Sequence, residues 1–344
     1  MPIVISGSSC PEFSYKIYNE LLKYDNSIVF KQAKTSKFSN GELNVSIEES
    51  KINVEKIEKN DVIIIQTETE TDNMNVNDML MELIFMINIC NDVRAKSITV
   101  VIPNYFYARS DKHDITSKLK PYETIGAKVI AKMIENAGAS QIITVDLHAP
   151  QIHGFFGKPC KHINIYKTIV RTINDHIFGE DHNSSSSSDT DEIEEKKKYI
   201  LIAPDVGASK RTAEISKMTG IDNAIMQKQR DHNIKNKVAK INLIGDVDGI
   251  GKTAIILDDM CDTAGTMVEA ANLLVAHGVK DVVIIVTHGI FSGPALERLN
   301  NCECISKVYT TDTIPQAKNM ELCDKIDEIS IHKMLAKYIH DFAM

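Results

Sequence analysis

The sequence predicts an α/β protein of two similar domains, each a largely parallel sheet flanked by helices. Three observations lead there. Short β-branched runs recur at 62–66, 97–102, 141–145, 199–203, 253–257 and 281–287, each apolar and brief enough to be a buried strand. Amphipathic segments lie between several of them. Met267, Ala270, Ala271 and Leu274 recur at helical spacing, and Gly278 follows as a stop signal. The alternation also fills both halves of a 344-residue chain, which is longer than one core usually extends. Strand–helix alternation implies parallel sheets, whose ligands bind at the carboxyl ends of the strands. A boundary near residues 154–162 gives expected domains of 1–158 and 159–344.

Composition narrows the classes. Acidic residues outnumber basic ones by 47 to 39, for a formal charge of −8, which argues against general nucleic-acid binding. The start lacks a basic, then apolar, leader. The apolar stretch 79–89 contains Glu82 and reads as a buried helix, not a membrane span. A cytoplasmic protein without a membrane partner is expected. Seven scattered cysteines include Cys302 and Cys304, one residue apart, with no second pair at zinc spacing. Reduced thiols are expected and a structural zinc is not. Residues 183–195 hold five consecutive serines, Ser184 to Ser188, and an acidic run ending in Glu194 and Glu195. Such composition buries too little apolar surface to offset its ordering entropy. It reads as a solvated insertion in the second domain.

The sharpest chemical signal is 253–266. An apolar strand ends in Asp258-Asp259, Asp262-Thr263-Ala264-Gly265-Thr266 follows, and a helix begins. Backbone N–H groups at a helix start, with the Thr263 and Thr266 hydroxyls, can surround a phosphate dianion. Gly265 allows close backbone approach. The paired carboxylates can accept hydrogen bonds from sugar hydroxyls or hold magnesium, directly or through water. The bland alternative is an Asx turn and an N-cap.

This loop resembles the phosphoribosyl-binding signature of type I phosphoribosyltransferase folds, and the chain is similar to the ribose-phosphate pyrophosphokinases in particular. The resemblance rests on Phe38-Ser-Asn-Gly-Glu42, Asn77-Asp78, Met81-Glu82-Leu83, Tyr107-Ala-Arg109, Asp111-Lys112, Asp146-Leu-His-Ala149, Gly154-Phe-Phe156, Lys210-Arg211, Gly245-Asp246-Val247 and Thr287 to Gly293. It implies two phosphoribosyltransferase-like domains and a magnesium-dependent diphosphokinase acting on ATP and ribose 5-phosphate. Ribose 5-phosphate would bind Asp258, Asp259, Asp262, Thr263, Ala264, Gly265 and Thr266. ATP would meet Arg109, Asp114 and His148, with Phe38, Asn40 and Glu42 reaching the adenosine from a neighbouring subunit. His148 and Asp205, with Asp146 as a further candidate, would serve magnesium. Lys228 and Arg230 would stand at the base of a mobile catalytic loop. Dimers assembling into a hexamer are implied, alone or beside a paralogous subunit.

Each residue also has a bland reading. Arg109 could be a surface ion pair, Phe38 a core aromatic, His148 structural, Asp205 a turn cap, and 228–237 a solvated loop. Several positions depart from the family pattern. Ser110 replaces the usual Gln, Ala208 stands at the second Gly of the diphosphate loop, and Pro150 and His153 alter the stretch after His148. Residues 114–126 run longer than usual and lack the basic stretch of phosphate-activated members, and the chain stops at Met344 without their Asn-Gly-Glu-Ser tail. Weak dependence on inorganic phosphate and weak allosteric inhibition by ADP are therefore expected. The main rival is a non-catalytic, synthetase-associated subunit, whose mark would be a broken acidic pair or Lys-x-Arg loop. The second rival is a phosphoribosyltransferase that consumes the diphosphate product, which would need neither the second domain nor the Phe38 region.

Overall fold

The computed structural model describes residues 1–47, 57–113, 123–178, 194–230, 238–244 and 251–344, with the side chains of 227–230 and 238–244 outside the description. The chain divides into two compact units. The first comprises Met1–Asn164, Asp312–Pro315 and Ser330–Met344, and the second Ile165–Thr311 and Gln316–Ile329.

The first unit is built on β1 (Ile3–Ser6), β2 (Val29–Lys37), β3 (Leu43–Ile47), β4 (Asp61–Ile65), β5 (Ser97–Ile102), β6 (Gln141–Val145) and β7 (Cys160–Ile163). The sheet order is β3-β2-β1-β4-β5-β6-β7. Only β3 is antiparallel, pairing Thr35 with Val45. The central strands are apolar on both faces, as strands covered by helices on both sides must be. Ile3, Ile5, Ile64, Val100 and Ile142 are all fully buried or nearly so. The helices are α1 (Pro11–Leu21), α2 (Val76–Asp92) and α3 (Gly126–Ala137). The motif residues Asn77 and Asp78 open α2. Asn75 Oδ1 accepts from the N–H groups of Asn77 and Asp78, and Asp78 Oδ2 accepts from Asn75 N at 2.9 Å, a reciprocal capping box.

Glu82 of α2 is fully buried yet faces no cation in the hydrogen-bond network that holds it. It accepts from Ser8 N at 3.2 Å and from Ser8 Oγ and Gln66 Nε2 at 2.6 Å. Thr35 Oγ1 donates to it at 2.5 Å. Four donors satisfy the carboxylate, which is what allows its burial. Gly7 is required beside this knot, because a Cβ there would lie 2.2 Å from Gln66 Oε1. Glu82→Ala removes the acceptor of buried Gln66 and of half-buried Ser8 and Thr35. We expect a loss of about 3 kcal/mol or more, read as a fall in thermal midpoint. A shift of under about 2 °C would mean that the network contributes little.

The second unit repeats the plan with β8 (Tyr199–Ala203), β9 (Asn223–Arg230), β10 (Val238–Ile244), β11 (Thr253–Cys261), β12 (Asp281–Gly289), β13 (Ile305–Thr311) and β14 (Ile326–Ile329). The order β10-β9-β8-β11-β12-β13-β14 is the same permutation, again with one antiparallel edge strand. Its helices are α4 (Tyr166–Thr172), α5 (Ser209–Thr219), α6 (Gly265–Ala276), α7 (Ala295–Asn301) and α8 (Ala317–Leu322). The last helix, α9 (His332–Ala343), belongs to the first unit. Its His340 ring stacks on Tyr24 at 4.4 Å.

The expected α/β class with two largely parallel sheets is the observed one. Strand β11 runs four residues past the expected end at Leu257. Its partner β12 extends equally far, and Met260 and Cys261 pair with His288 and Gly289. Asp258 and Asp259 therefore lie on a strand, not in the loop after it. The serine tract 184–188 and the segment 245–247 lie outside the described residues.

Candidate functional site

The acidic pair sits at the carboxyl end of the second sheet, where the strand order reverses and parallel sheets open a crevice. Asp259 is 7% exposed and Asp258 is half-buried. Asp259 N donates to Asp258 Oδ1 at 2.9 Å. Burial pushes the Asp258 carboxyl well above the usual carboxylate range, and the Asp259 and Asp205 carboxylates push it further. Ionising all three together therefore costs energy that a cation would relieve.

Asp262 to Ala264 carry the chain from β11 into α6. Ala264 adopts a left-handed conformation, φ 57°, and ends the loop as an N-cap whose side chain accepts no hydrogen bond. The first N–H groups of α6 thus lack the side-chain acceptor that a Ser or Asp cap would supply. The hydroxyl residues Thr263 and Thr266 at this start are exposed. An anion is the natural partner of such a terminus. Arg298 of α7 braces the loop, donating from Nη1 to Thr263 O at 2.8 Å. A Cβ on Gly265 would come within 3.3 Å of the same Nη1, so glycine keeps this brace and the open backbone together.

Asp205 follows β8. Its Oδ1 accepts from Ala208 N at 3.0 Å, so the turn-capping reading of this residue is realised. Ala208 has φ −78°. The departure from glycine there carries no backbone penalty. Arg211 of α5 donates from Nη1 to Thr287 Oγ1 at 3.2 Å and, more weakly, to Asp258 O at 3.4 Å. Arg211 and Arg298 were absent from the expected site residues. Lys210-Arg211 did stand among the family-like motifs, whereas nothing in the sequence marks Arg298. Lys228 and Arg230 are on β9, the last turn of strand before 231–237, which lie outside the described residues along with Asp114.

In the first unit, Phe38 to Glu42 form the turn between β2 and β3. Phe38 N donates to Glu42 O at 2.8 Å and Gly41 has φ 90°. Asn40 Nδ2 donates to Glu42 Oε2 at 2.9 Å. Phe38 is 56% exposed, which excludes the core-aromatic reading. After β5, Arg109 is exposed and Tyr107 OH donates to Asn77 Oδ1 at 2.6 Å. Ser110 Oγ accepts from Gly126 N at 2.8 Å, so this departure fastens the start of α3. After β6, Asp146 is buried with φ 46° and His148 is exposed. A non-glycine residue held in that region stores strain of the kind found at functional sites.

The donor set fits magnesium in type. Among the described residues no cluster of three or more His, Cys, Asp or Glu is arranged as a metal cage. Magnesium is normally held by one or two carboxylates with water and substrate phosphates, and an acidic pair whose ionisation is resisted supplies that. No helix among the described residues is long and apolar enough to cross a membrane.

Comparisons with known proteins point one way. A model described as the N-terminal domain of ribose phosphate pyrophosphokinase matches residues 2–138. A second, described as the phosphoribosyl synthetase-associated domain, matches residues 181–343. The crystal structure of phosphoribosylpyrophosphate synthetase from Mycobacterium smegmatis aligns at TM-score 0.80 and 29% identity, covering 98% of this chain and 97% of that one. Orotate phosphoribosyltransferase from Aeropyrum pernix matches at TM-score 0.26 and 16% identity, over 31% of this chain and 56% of that one. That likeness is too slight to argue from. With the duplicated sheet, the acidic pair on β11 and two models that together span most of its length, the chain belongs to the ribose-phosphate pyrophosphokinase family, transferases with diphosphokinase activity in nucleotide biosynthesis.

Proposed function

We propose that this chain transfers the β,γ-diphosphate of magnesium–ATP to the anomeric hydroxyl of ribose 5-phosphate, giving 5-phosphoribosyl 1-diphosphate and AMP. The observation that carries the reading is the acidic pair on β11 followed at once by the uncapped start of α6. The N–H groups from Gly265 onward and the Thr263 and Thr266 hydroxyls take the 5-phosphate. Asp258 and Asp259 accept hydrogen bonds from the ribose hydroxyls, and Asp262 and Ala264 shape the loop. The anomeric oxygen attacks the β-phosphorus and loses its proton. The bond from that phosphorus to the bridging oxygen breaks, and AMP leaves with the oxygen. Lys228 and Arg230 stabilise the charge spread over the transferring group. Arg109, Asp114 and His148 position the nucleotide, and Phe38, Asn40 and Glu42 serve the adenosine of a neighbouring subunit. Asp146, His148 and Asp205 are the residues proposed to hold magnesium. When bound, magnesium neutralises and orients the diphosphate oxygens.

This reading places the enzyme in the cytoplasm as a homo-oligomer of dimers assembling into a hexamer. It is supported by the exposed Phe38 turn, which otherwise wastes an aromatic on solvent. The boundary between domains near 158–159 is proposed on the same footing. The test is AMP release from magnesium–ATP with and without ribose 5-phosphate. Release only with the sugar phosphate supports the proposal. Folded protein that binds both ligands and releases no AMP points to the rival, a non-catalytic synthetase-associated subunit.

The long segment 114–126 replaces the basic stretch of phosphate-activated relatives. Turnover at low and high inorganic phosphate is therefore expected to differ by less than the about five-fold at the lower edge of ordinary allosteric coupling. A steep activation curve in the same assay would overturn this.

A further inference from the structure

Outside the site described above, one pair of reactive groups is brought into contact. Cys302 and Cys304 follow α7, and their sulfurs lie 3.3 Å apart. Cys302 is buried and Cys304 half-buried. Both line an open cavity of about 660 Å³ together with Asn272, Arg298 and Glu303. Asn272 Oδ1 stands 3.6 Å from the Cys304 sulfur and 4.0 Å from that of Cys302. The backbone around the pair is pinned. Lys325 Nζ donates to Leu299 O and Cys302 O at 2.8 Å, and Val282 N donates to Cys304 O at 3.0 Å. Two thiols separated by a single residue share one side of an extended chain. Here the loop turns both to one cavity.

We propose that Cys302 and Cys304 form a dithiol modification site that closes to a disulfide by exchange with a low-molecular-weight disulfide of the glutathione type. A disulfide needs the sulfurs at about 2.05 Å, so closure requires an approach of roughly 1.3 Å. The more accessible Cys304 attacks the reagent as its thiolate. A mixed disulfide forms, the reagent's S–S bond breaks, and one reagent thiol leaves. The Cys302 thiolate then attacks the Cys304 sulfur and releases the second. The protein loses two electrons and two protons, and the reagent gains both as two thiols. Burial, then the neighbouring Cys302 thiol, push the Cys304 thiol up to about 11. The thiolate is therefore scarce at neutral pH, and exchange belongs at the slow end of its range of seconds to hours.

The test needs only the native full chain. Trypsin cleaves after Arg298 and Lys307, releasing a peptide, 299–307, that holds both cysteines and no other. After incubation with oxidised glutathione and alkylation, this peptide is expected about 2 Da lighter and unalkylated, and to regain two alkylatable thiols on reduction. Cys160, the other half-buried cysteine, is the internal control and is expected to stay alkylatable. In Cys302→Ser the reaction should stop at a stable glutathione adduct on Cys304. A parent peptide that keeps two free thiols, or ends as a stable mixed disulfide, overturns the proposal. That measurement on the parent decides the matter even if the variant fails to fold.

Discussion

Asp258→Asn is expected to lose turnover by a factor on the order of 10² to 10³, the usual cost of removing one preorganised electrostatic group, while making the ligand-free chain more stable. The two effects share one cause. Asp258 is half-buried between like charges, and its carboxyl is held well above the usual range, first by burial and then by Asp259 and Asp205. A carboxyl whose folded pKa exceeds its unfolded value, about 3.9, favours folding only while protonated. Its contribution is full below the unfolded value and is lost as pH rises through the folded one. The native state therefore loses stability as pH rises above the unfolded value toward the folded one, and asparagine removes that loss. Thermal unfolding of the two proteins across a pH series checks this. The variant's advantage should grow as pH rises and vanish below about pH 4. An asparagine variant less stable than its parent at pH 7, or an offset independent of pH, would sink the electrostatic account. Added magnesium should narrow the gap by stabilising the parent more than the variant, since only the parent keeps both carboxylates.

Lys228→Ala is expected to lower kcat by about 10² to 10³ with little change in KM for ribose 5-phosphate. The backbone places Lys228 on β9 opposite Ile241 and Arg230 opposite Val238, on a strand that adjoins β8 and thus the Asp205 turn. Cations at this sheet end would act on charge that develops as diphosphate moves, and not on the sugar's ground-state binding. Arg230→Ala should behave alike, and the double variant should fall less than the sum of the two, as groups acting together do. Steady-state kinetics on the three proteins decides this. A Lys228→Ala enzyme with near-parental kcat, or one whose loss lies wholly in KM, would remove the loop cations from the chemical step.

Much of this molecule was legible because its strands are buried on both faces. Runs such as Ile63 to Ile65 and Ala254 to Leu257 carry their signal in composition alone, and the carboxyl ends they define are where the acidic pair stands. The strands beside the antiparallel edges, β2 and β9, were not legible. Polar and apolar residues mix in both, so 228–230 read as a loop until strand pairing fixed it. Ser110 and Ala208 looked like damaged positions. Their meaning depended on local geometry: a serine that binds the start of α3, and an alanine whose φ of −78° asks nothing of glycine.

The sequence by itself determined the α/β class, the repeated plan, the acidic pair and the phosphate loop, because alternation of burial and a charge cluster after an apolar strand are local patterns. Only the tertiary structure decided which distant side chains meet. Arg298 reaches Thr263 across 35 positions, Glu82 gathers Ser8, Thr35 and Gln66 from three strand ends, and residues 330–344 return to the first unit. Such contacts are set by how helices pack on a twisted sheet, and that packing is a property of the whole chain, with no signature in any one window of it.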